Sequence, residues 1–144
     1  MPKRKKDEAR IDELLRAHGL RRTEPRVMVL RHVEKNPRPL THGEIAQALA
    51  HTGIDRATVY RNLMDLVEAG LVTRTDLGDH VWRFESKSAH SEEPAHPHFV
   101  CTDCGTITCL PQGTVTVVAK RTAPKAIAKR RVVVQVKGVC DACA

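Results

Sequence analysis

Two Cys-x-x-Cys pairs in the C-terminal part of this chain constrain its fold more than any other feature of the sequence. The pairs are Cys101 with Cys104 and Cys140 with Cys143. Each pair can present two thiolates to one side of a metal ion, and zinc prefers four such ligands in a tetrahedron. Four thiolates leave no open coordination position, so the sequence predicts a structural Zn²⁺ site. This site would tie the C-terminus to the start of a small domain. A redox dithiol is the alternative.

The other cysteine and a second motif do not change this prediction. Cys109 lies outside the quartet, and a half-buried strand cysteine is its plainer interpretation. His42-Gly-Glu44 followed by Cys-x-x-Cys also resembles a zinc deaminase pattern. However, Val100 rather than proline precedes Cys101, and the second cysteine pair completes the site without His42. An odd number of cysteines without an export signal also argues against a disulfide framework.

The N-terminal segment and the hydropathy bear on localisation. Residues 1–6 form a basic tail that we expect to be disordered and solvated, although it could contact phosphates. Acidic residues follow this tail at once, where a secretory signal peptide would have an apolar segment. No stretch approaches the roughly 20 apolar residues needed to span a bilayer. We therefore expect a cytoplasmic protein that does not enter the membrane.

The first half of the chain shows a helical pattern with three recognisable helix starts. Thr23 is a plausible N-cap for a second helix, and Thr41 with Glu44 predicts a capping box at the start of a third. Asp55 is the expected N-cap of a fourth helix, residues 56–69, in which apolar residues recur at helical spacing. The sequence therefore predicts four helices, with the last two joined by a short turn.

Two strand-like runs, residues 71–75 and 80–84, follow the fourth helix and are joined by turn residues. This pattern predicts a β-hairpin. The order helix, helix, short turn, helix and hairpin is the winged form of the helix-turn-helix. We therefore predict a winged-helix domain over residues 1–85, with the fourth helix as the reading helix and the hairpin as the wing.

The second half predicts a hinge and a smaller domain. Residues 86–97 are polar and rich in His, Glu, Ser and Pro, which is typical of a hinge. Beyond it, residues 112–129 fit either a strand or a helix. Clear strands are expected at three places: residues 99–101, 106–109 and 132–136. The predicted fold is α+β, with an N-terminal winged helix-turn-helix domain followed by a small α/β domain, residues 98–144, that contains the zinc site.

Five segments of the chain together resemble the ferric uptake regulator family in order and spacing. The resemblance spans roughly residues 10–143. The reading-helix segment combined with the two cysteine pairs is highly specific, whereas either alone would be only suggestive. The segments are Leu20–Arg26, Ala57–Leu63, Glu68–Val72, His96–Gly105 and Gly138–Cys143.

The resemblance implies a homodimer whose C-terminal α/β domain mediates dimerisation. Such a protein would bind double-stranded DNA at an A·T-rich, pseudo-palindromic operator, normally as a repressor and not as an enzyme. Tyr60 could instead be a packing residue, and Arg26 could instead pin a helix end. The residues that the resemblance places at the DNA are Tyr60, Arg61, Arg56 and Thr58, with Arg21, Arg22 and Arg26 as phosphate contacts.

The resemblance also implies a second, regulatory divalent cation, which could be Fe²⁺, Mn²⁺ or Zn²⁺. Glu85, His96 and His98 match three of the family's regulatory ligands. By sequence, Glu85 precedes the hinge, His96 lies near its end and His98 follows it, so a cation that bound all three would fix the angle between the domains. The plainer interpretation of His96 and His98 is that they are solvated linker histidines.

The chain departs from the family at other regulatory positions. Pro39 stands where the family has its first histidine ligand. His42, one turn further on, could substitute for that ligand, with His80 and His90 as lower-ranked candidates. A further family site would need an acid near residue 116 and a histidine near residue 132, and the sequence has neither.

Two alternatives to a metal-responsive regulator remain open from the sequence. The first is a peroxide-sensing or metal-independent member of the same family, which the missing first histidine favours. The second, from another class, is a zinc-dependent enzyme or a thiol oxidoreductase. No Ser-His-Asp or Cys-His arrangement is recognisable, and all four paired cysteines are expected to hold zinc.

Overall fold

The computed structural model describes residues 2–36, 38–87, 97–111, 113–129, 132 and 134–144. The chain divides into two compact units, Met1–Ala89 and His90–Ala144. Most of the predicted hinge, including His90 and His96, lies outside the described residues. Among the residues described, no helix has both the length and the apolar character to cross a membrane.

The described residues of the first unit form four helices and a small sheet, in the order of a winged helix-turn-helix. A short 3-10 turn, Ala50–Thr52, separates the third and fourth helices. The elements are α1 Pro2–Ala17, α2 Glu24–Lys35, β1 Leu40–Thr41, α3 His42–Leu49, α4 Arg56–Glu68, β2 Val72–Asp76 and β3 Trp82–Ser86.

The three predicted helix starts are confirmed by their capping hydrogen bonds. The Thr23 hydroxyl accepts the backbone N–H of Arg26 at 3.4 Å. The capping box of α3 is complete, because the Thr41 hydroxyl accepts from the Glu44 N–H and the Glu44 carboxylate accepts from the Thr41 N–H. Asp55 accepts from the Thr58 N–H at 2.8 Å and so starts α4. Local sequence chemistry therefore fixes where α2, α3 and α4 begin.

The core of the first unit lies between the helices and one face of a three-stranded antiparallel sheet. The strand order is β1-β3-β2, so the predicted hairpin β2–β3 carries β1 along its other edge. Phe84 in β3 is the largest fully buried side chain. Around it lie aliphatic residues from all four helices, including Ile11, Leu15, Leu30, Val33, Ile45, Val59, Leu63 and Leu66.

The N-terminal tail differs from the predicted disorder, because residues 2–6 form the first turns of α1. Lysine and arginine are good helix formers. Arg4 also lies 3.8 Å from Glu8 one turn later. Further along α1, Ile11 and Leu15 are fully buried. The basic residues therefore extend a helix that the core of the unit already holds in place.

The second unit contains a three-stranded sheet with the order β5-β4-β6. The central strand β4 pairs antiparallel with β5 and parallel with β6. The predicted strand 132–136 is displaced, because β6 begins at residue 135 and residues 132 and 134 are not in a strand. The ambiguous segment contains only one short helix among its described residues. The elements are β4 His98–Cys101, β5 Ile107–Cys109, α5 Lys125–Ala128 and β6 Gln135–Gly138.

Candidate metal centre and nucleic-acid interface

The four paired cysteines meet at one end of the sheet of the second unit. Cys101 ends β4, and the parallel register pairs it with Gly138 near the end of β6, which brings the second cysteine pair beside the first. The four Sγ atoms lie within 4.8 Å of one another, and those of Cys104 and Cys140 are 3.7 Å apart. Zinc–sulfur bonds of about 2.3 Å in a tetrahedron place the sulfurs about 3.8 Å apart. The geometry therefore fits a single zinc ion.

Hydrogen bonds within the centre change the pKa values of three of its thiols. The backbone N–H groups of Cys104 and Cys140 donate to the Cys101 sulfur and lower the pKa of that thiol to about 6. A hydrogen bond with the Thr106 hydroxyl lowers the pKa of Cys104. Interactions with Cys140 and Cys104 raise the pKa of Cys143 to about 12. Four thiolates therefore need a cation between them, which is the condition that Zn²⁺ satisfies.

The helix α4 has one buried face and one exposed face. Val59, Leu63 and Leu66 are buried. Tyr60, with an exposed fraction of 46%, and Arg61 lie on the solvent side. The side chains predicted to read DNA are thus adjacent on an exposed helix surface. Arg56 and Thr58, also predicted to lie near DNA, belong to the first turn of the same helix.

His42 contacts the reading helix rather than a cluster of metal ligands. Its Nε2 atom lies 2.8 Å from the carbonyl oxygen of Arg56, to which it donates a hydrogen bond. Its ring centroid is 5.3 Å from that of Tyr60. Among the described residues, His42 belongs to no group of three potential ligands. The structure therefore supports a role for His42 in positioning Tyr60 and the start of α4.

The three arginines predicted to contact phosphates have different surroundings. Arg26 donates to the Asp65 carboxylate of α4 and to the carbonyl oxygen of Arg21, each at 2.6 Å. Arg22 donates to the carboxylate of Asp12 within α1 and to that of Glu24, the first residue of α2. Arg21 is exposed, and its guanidinium has no protein partner in the described part of the chain. Arg22 and Arg26 therefore join elements of the first unit, whereas Arg21 makes no such side-chain contact among the described residues.

The predicted regulatory ligands that the structure describes lie in both units. Glu85 is buried in β3 of the first unit, opposite Thr73. His98 is buried at the start of β4 in the second unit. His80 is fully exposed near the tip of the hairpin, at φ 61°, and lies 4.0 Å from Asp76. Its exposure argues against a role as a ligand.

The structure also brings together a pair of residues that sequence reasoning separated. Cys109 in β5 stands directly opposite His98 in β4, and the ligand atoms of the two side chains lie within 4.8 Å of each other. The spacing of these residues along the chain does not reveal this pairing, because it depends on the register of two strands. Cys109 is half-buried, as predicted for a strand cysteine.

One unit has a helix-turn-helix with a β-hairpin wing, and the other has a four-cysteine centre. These features define a winged-helix protein with a thiolate metal site. The chain belongs to the ferric uptake regulator family, whose model matches residues 17–134. Ferric uptake regulation protein 1 of Mycolicibacterium fortuitum is 37% identical to it over 95 residues, which cover 65% of this chain and 56% of that protein.

Two solved structures share the fold over nearly their whole length. The ferric uptake regulator of Vibrio cholerae superimposes with a TM-score of 0.63 at 26% identity, covering 90% of this chain and 98% of that one. The manganese-bound ferric uptake regulator of Pseudomonas aeruginosa gives a TM-score of 0.61 at 26% identity, covering 88% and 96%. By sequence, the chain spans between 56% and 63% of the length of the first curated relatives that it matches.

Proposed function

We propose that this protein is a metal-responsive, DNA-binding transcriptional regulator that acts in the cytoplasm as a homodimer. The exposed face of α4, with Tyr60 and Arg61 side by side in the second helix of a helix-turn-helix, is the observation that carries the proposal. A tyrosine edge can pack on a thymine methyl group, and arginine can form a bidentate contact with guanine or bind a phosphate.

Relatives of the same fold support this function. The Vibrio cholerae structure reveals a rearrangement of that protein's DNA-binding domains. The Pseudomonas aeruginosa protein was solved with manganese. In this chain, Arg56, Thr58 and Arg21 would add contacts around the reading helix. A two-fold symmetric dimer reads a pseudo-palindromic site, which we propose to be an A·T-rich operator that the protein represses.

Two metal sites serve this function in our proposal. The four paired cysteines would hold a structural Zn²⁺ and have no catalytic role. Glu85, His96 and His98 would bind the regulatory cation, which is Fe²⁺, Mn²⁺ or Zn²⁺. A cation changes DNA binding only through its difference in affinity for the competent and incompetent conformations. In the sequence, Glu85 lies before the hinge and His98 after it, so the cation would favour one arrangement of the reading helices.

A gel shift of the zinc-loaded protein on A·T-rich promoter fragments tests the proposal, with Fe²⁺, Mn²⁺ and Zn²⁺ added separately. We expect at least one cation to strengthen binding, and the affinity to fall steeply as salt is raised. Arg61→Ala should weaken binding about tenfold, since one good base contact contributes about 1–3 kcal/mol. Glu68→Ala is the matched control, because it lies on the same helix about 10 Å from Arg61 along the axis. Absence of DNA binding with all three cations at low salt would reject the function.

A double variant separates the two metal sites. His96→Ala with His98→Ala should abolish the response to the added cation but leave one tightly bound zinc per chain and an intact dimer. A normal metal response of this variant would show that the regulatory ligands are assigned wrongly.

A further inference from the structure

We propose that Cys109 is a thiolate ligand of the regulatory cation that His98 binds. The site would then have mixed nitrogen and sulfur donors and would select Zn²⁺ over Fe²⁺ and Mn²⁺. This inference rests on the proposed function, which assigns His98 to the regulatory site. It adds a ligand to that site and names the cation.

The register of the second sheet places the two side chains together. His98 and Cys109 are directly opposite partners in the antiparallel pair of β4 and β5. Directly opposite residues in such a pair project from the same face of the sheet, with Cβ atoms about 4.5–5.5 Å apart. Gln135 of β6 is the parallel neighbour of His98 on its other side. The sheet thus sets a thiol, an imidazole and an amide in one row.

This pair is separate from the structural cysteine centre. Alternate residues of a strand project from opposite faces of a sheet, so His98 and Val100 share one face of β4 while Phe99 and Cys101 share the other. The Cys101 quartet is already complete with four sulfurs. Cys109 therefore does not belong to the quartet, and its ligand atom lies near that of His98 instead.

The geometry needs only a small adjustment to bind a metal. A zinc ion with bonds of about 2.0–2.1 Å to nitrogen and about 2.3 Å to sulfur places these two atoms about 3.6 Å apart. The ligand atoms of His98 and Cys109 already lie within 4.8 Å. Ile107, buried two residue pairs further along the same ladder, adds an apolar side chain on the same face of β5 as Cys109. Shielding of this kind reduces access of solvent to a bound ion.

Sulfur changes which cation such a site prefers. Imidazole binds zinc and iron alike, whereas thiolate selects softer ions, and oxygen ligands suit manganese. Affinity in a site of nitrogen and sulfur donors also rises from Mn²⁺ through Fe²⁺ to Zn²⁺ in the usual order. A thiolate at position 109 therefore strengthens Zn²⁺ binding most and Mn²⁺ binding least.

Cobalt substitution tests the ligand directly. Protein whose quartet is filled with zinc is titrated with Co²⁺, and its spectrum is compared with those of Cys109→Ser and of Thr108→Val. Thr108 is the matched control because it is the neighbouring residue on the exposed face of β5. In the unaltered protein and in the control, we expect one added Co²⁺ per chain with a thiolate-to-cobalt charge-transfer band. Cys109→Ser should lose that band while retaining its structural zinc.

Competition between cations provides the second readout. Cys109→Ser should lower the affinity for Zn²⁺ at least about tenfold, since even the loss of an outer-shell partner costs 10–100-fold. The affinity for Mn²⁺ should change much less. A charge-transfer band that persists in Cys109→Ser, an unchanged preference for Zn²⁺ over Mn²⁺, or failure of the unaltered, zinc-loaded protein to take up one Co²⁺ would each overturn the inference.

These measurements do not involve DNA, so the inference about Cys109 can fail or hold independently of the proposed function. Loss of the band in Cys109→Ser supports the ligand even if the gel shift shows no operator binding. Conversely, metal-dependent operator binding with an unchanged band would retain the regulator and reject Cys109 as a ligand.

Discussion

At the scale of single residues, the surroundings of an arginine decide what it can do for DNA binding. Arg21 is exposed and has no protein partner in the described part of the chain, whereas the guanidinium of Arg26 is bound at both Nη atoms. The resemblance to the family predicts the same role, a phosphate contact, for both residues. The structure separates an exposed residue from one that joins α2 to α4.

We expect Arg26→Ala to lower the free energy of unfolding of the first unit by about 2 kcal/mol, because it removes hydrogen bonds that involve charged groups. Arg21→Ala should leave stability unchanged, weaken DNA binding equally for all sequences and reduce the salt slope by about one. Urea unfolding and salt-dependent gel shifts measure the two effects. The opposite assignment, with Arg21→Ala destabilising and Arg26→Ala neutral, would refute this division of roles.

The candidate sites show which residues sequence can predict. The cysteine quartet was predictable, because two local Cys-x-x-Cys turns carry its geometry within themselves. The pairing of Cys109 with His98 was not, because a shift of one residue in strand register would place the two side chains on opposite faces. His42 was expected as a substitute ligand, but its contact with Tyr60 depends on the packing of α3 against α4.

At the scale of elements, α3 and α4 are held together at their first turns. Thr41 caps α3, and His42 joins α3 to α4 by a hydrogen bond and a ring contact. The guanidinium of Arg56 also lies close to the Gly43 backbone, 3.1 Å from the position that a Cβ atom would occupy there. The orientation of the reading helix therefore depends on the start of the helix before it.

Thr41→Ala should lower the free energy of unfolding by about 1 kcal/mol, because the first turn of α3 loses its side-chain cap. Thr41→Ser retains a hydroxyl at this position and should recover most of that loss. Urea denaturation followed by circular dichroism measures both variants. Equal stability of the two variants would show that the cap contributes nothing.

His42→Ala should weaken operator binding severalfold without changing zinc content or the affinity of added cations. The reason is that Tyr60 and the start of α4 lose their contact with α3. Gel shifts and metal titrations on the same preparation provide both readouts. A loss of metal affinity in this variant would instead restore His42 as a ligand.

Element boundaries were predictable where side chains specify them locally. The starts of α2, α3 and α4 follow from Thr23, Thr41 and Asp55. In contrast, β1 is only two residues long and exists through its pairing with β3, residues 82–86, which no local pattern shows. Likewise, the parallel pairing with β4 sets the limits of β6, while β-branched residues had suggested an earlier strand.

At the scale of the whole molecule, the two units are stabilised by different means. The first unit buries a continuous apolar core that includes Phe84 and residues of all four helices. The second unit buries few apolar side chains among its described residues, chiefly Cys101 and Ile107. A small domain with little core often depends on a structural metal.

Removal of zinc should therefore unfold the second unit and leave the first folded. After treatment with a strong chelator, or in Cys140→Ser, we expect amide protons of β4 and β6 to lose protection from hydrogen exchange while those of α2 and α4 retain it. Dimer formation should be lost as well. Cys109→Ser is the control and should retain its zinc and its protection. Protection of β4 after complete zinc removal would contradict the assignment of a structural metal.

Thr41 belongs to a strand and also caps a helix, and this limits where the chain tolerates insertions and deletions. The same residue pairs with Arg83 in the small sheet and caps the following helix. One amino acid inserted directly after it would break either the strand alignment or the cap, since both need fixed spacing. Extra residues at the exposed hairpin tip, residues 78–81, would disturb neither. Over evolution, insertions and deletions should therefore accumulate at that tip and be absent between residues 41 and 42.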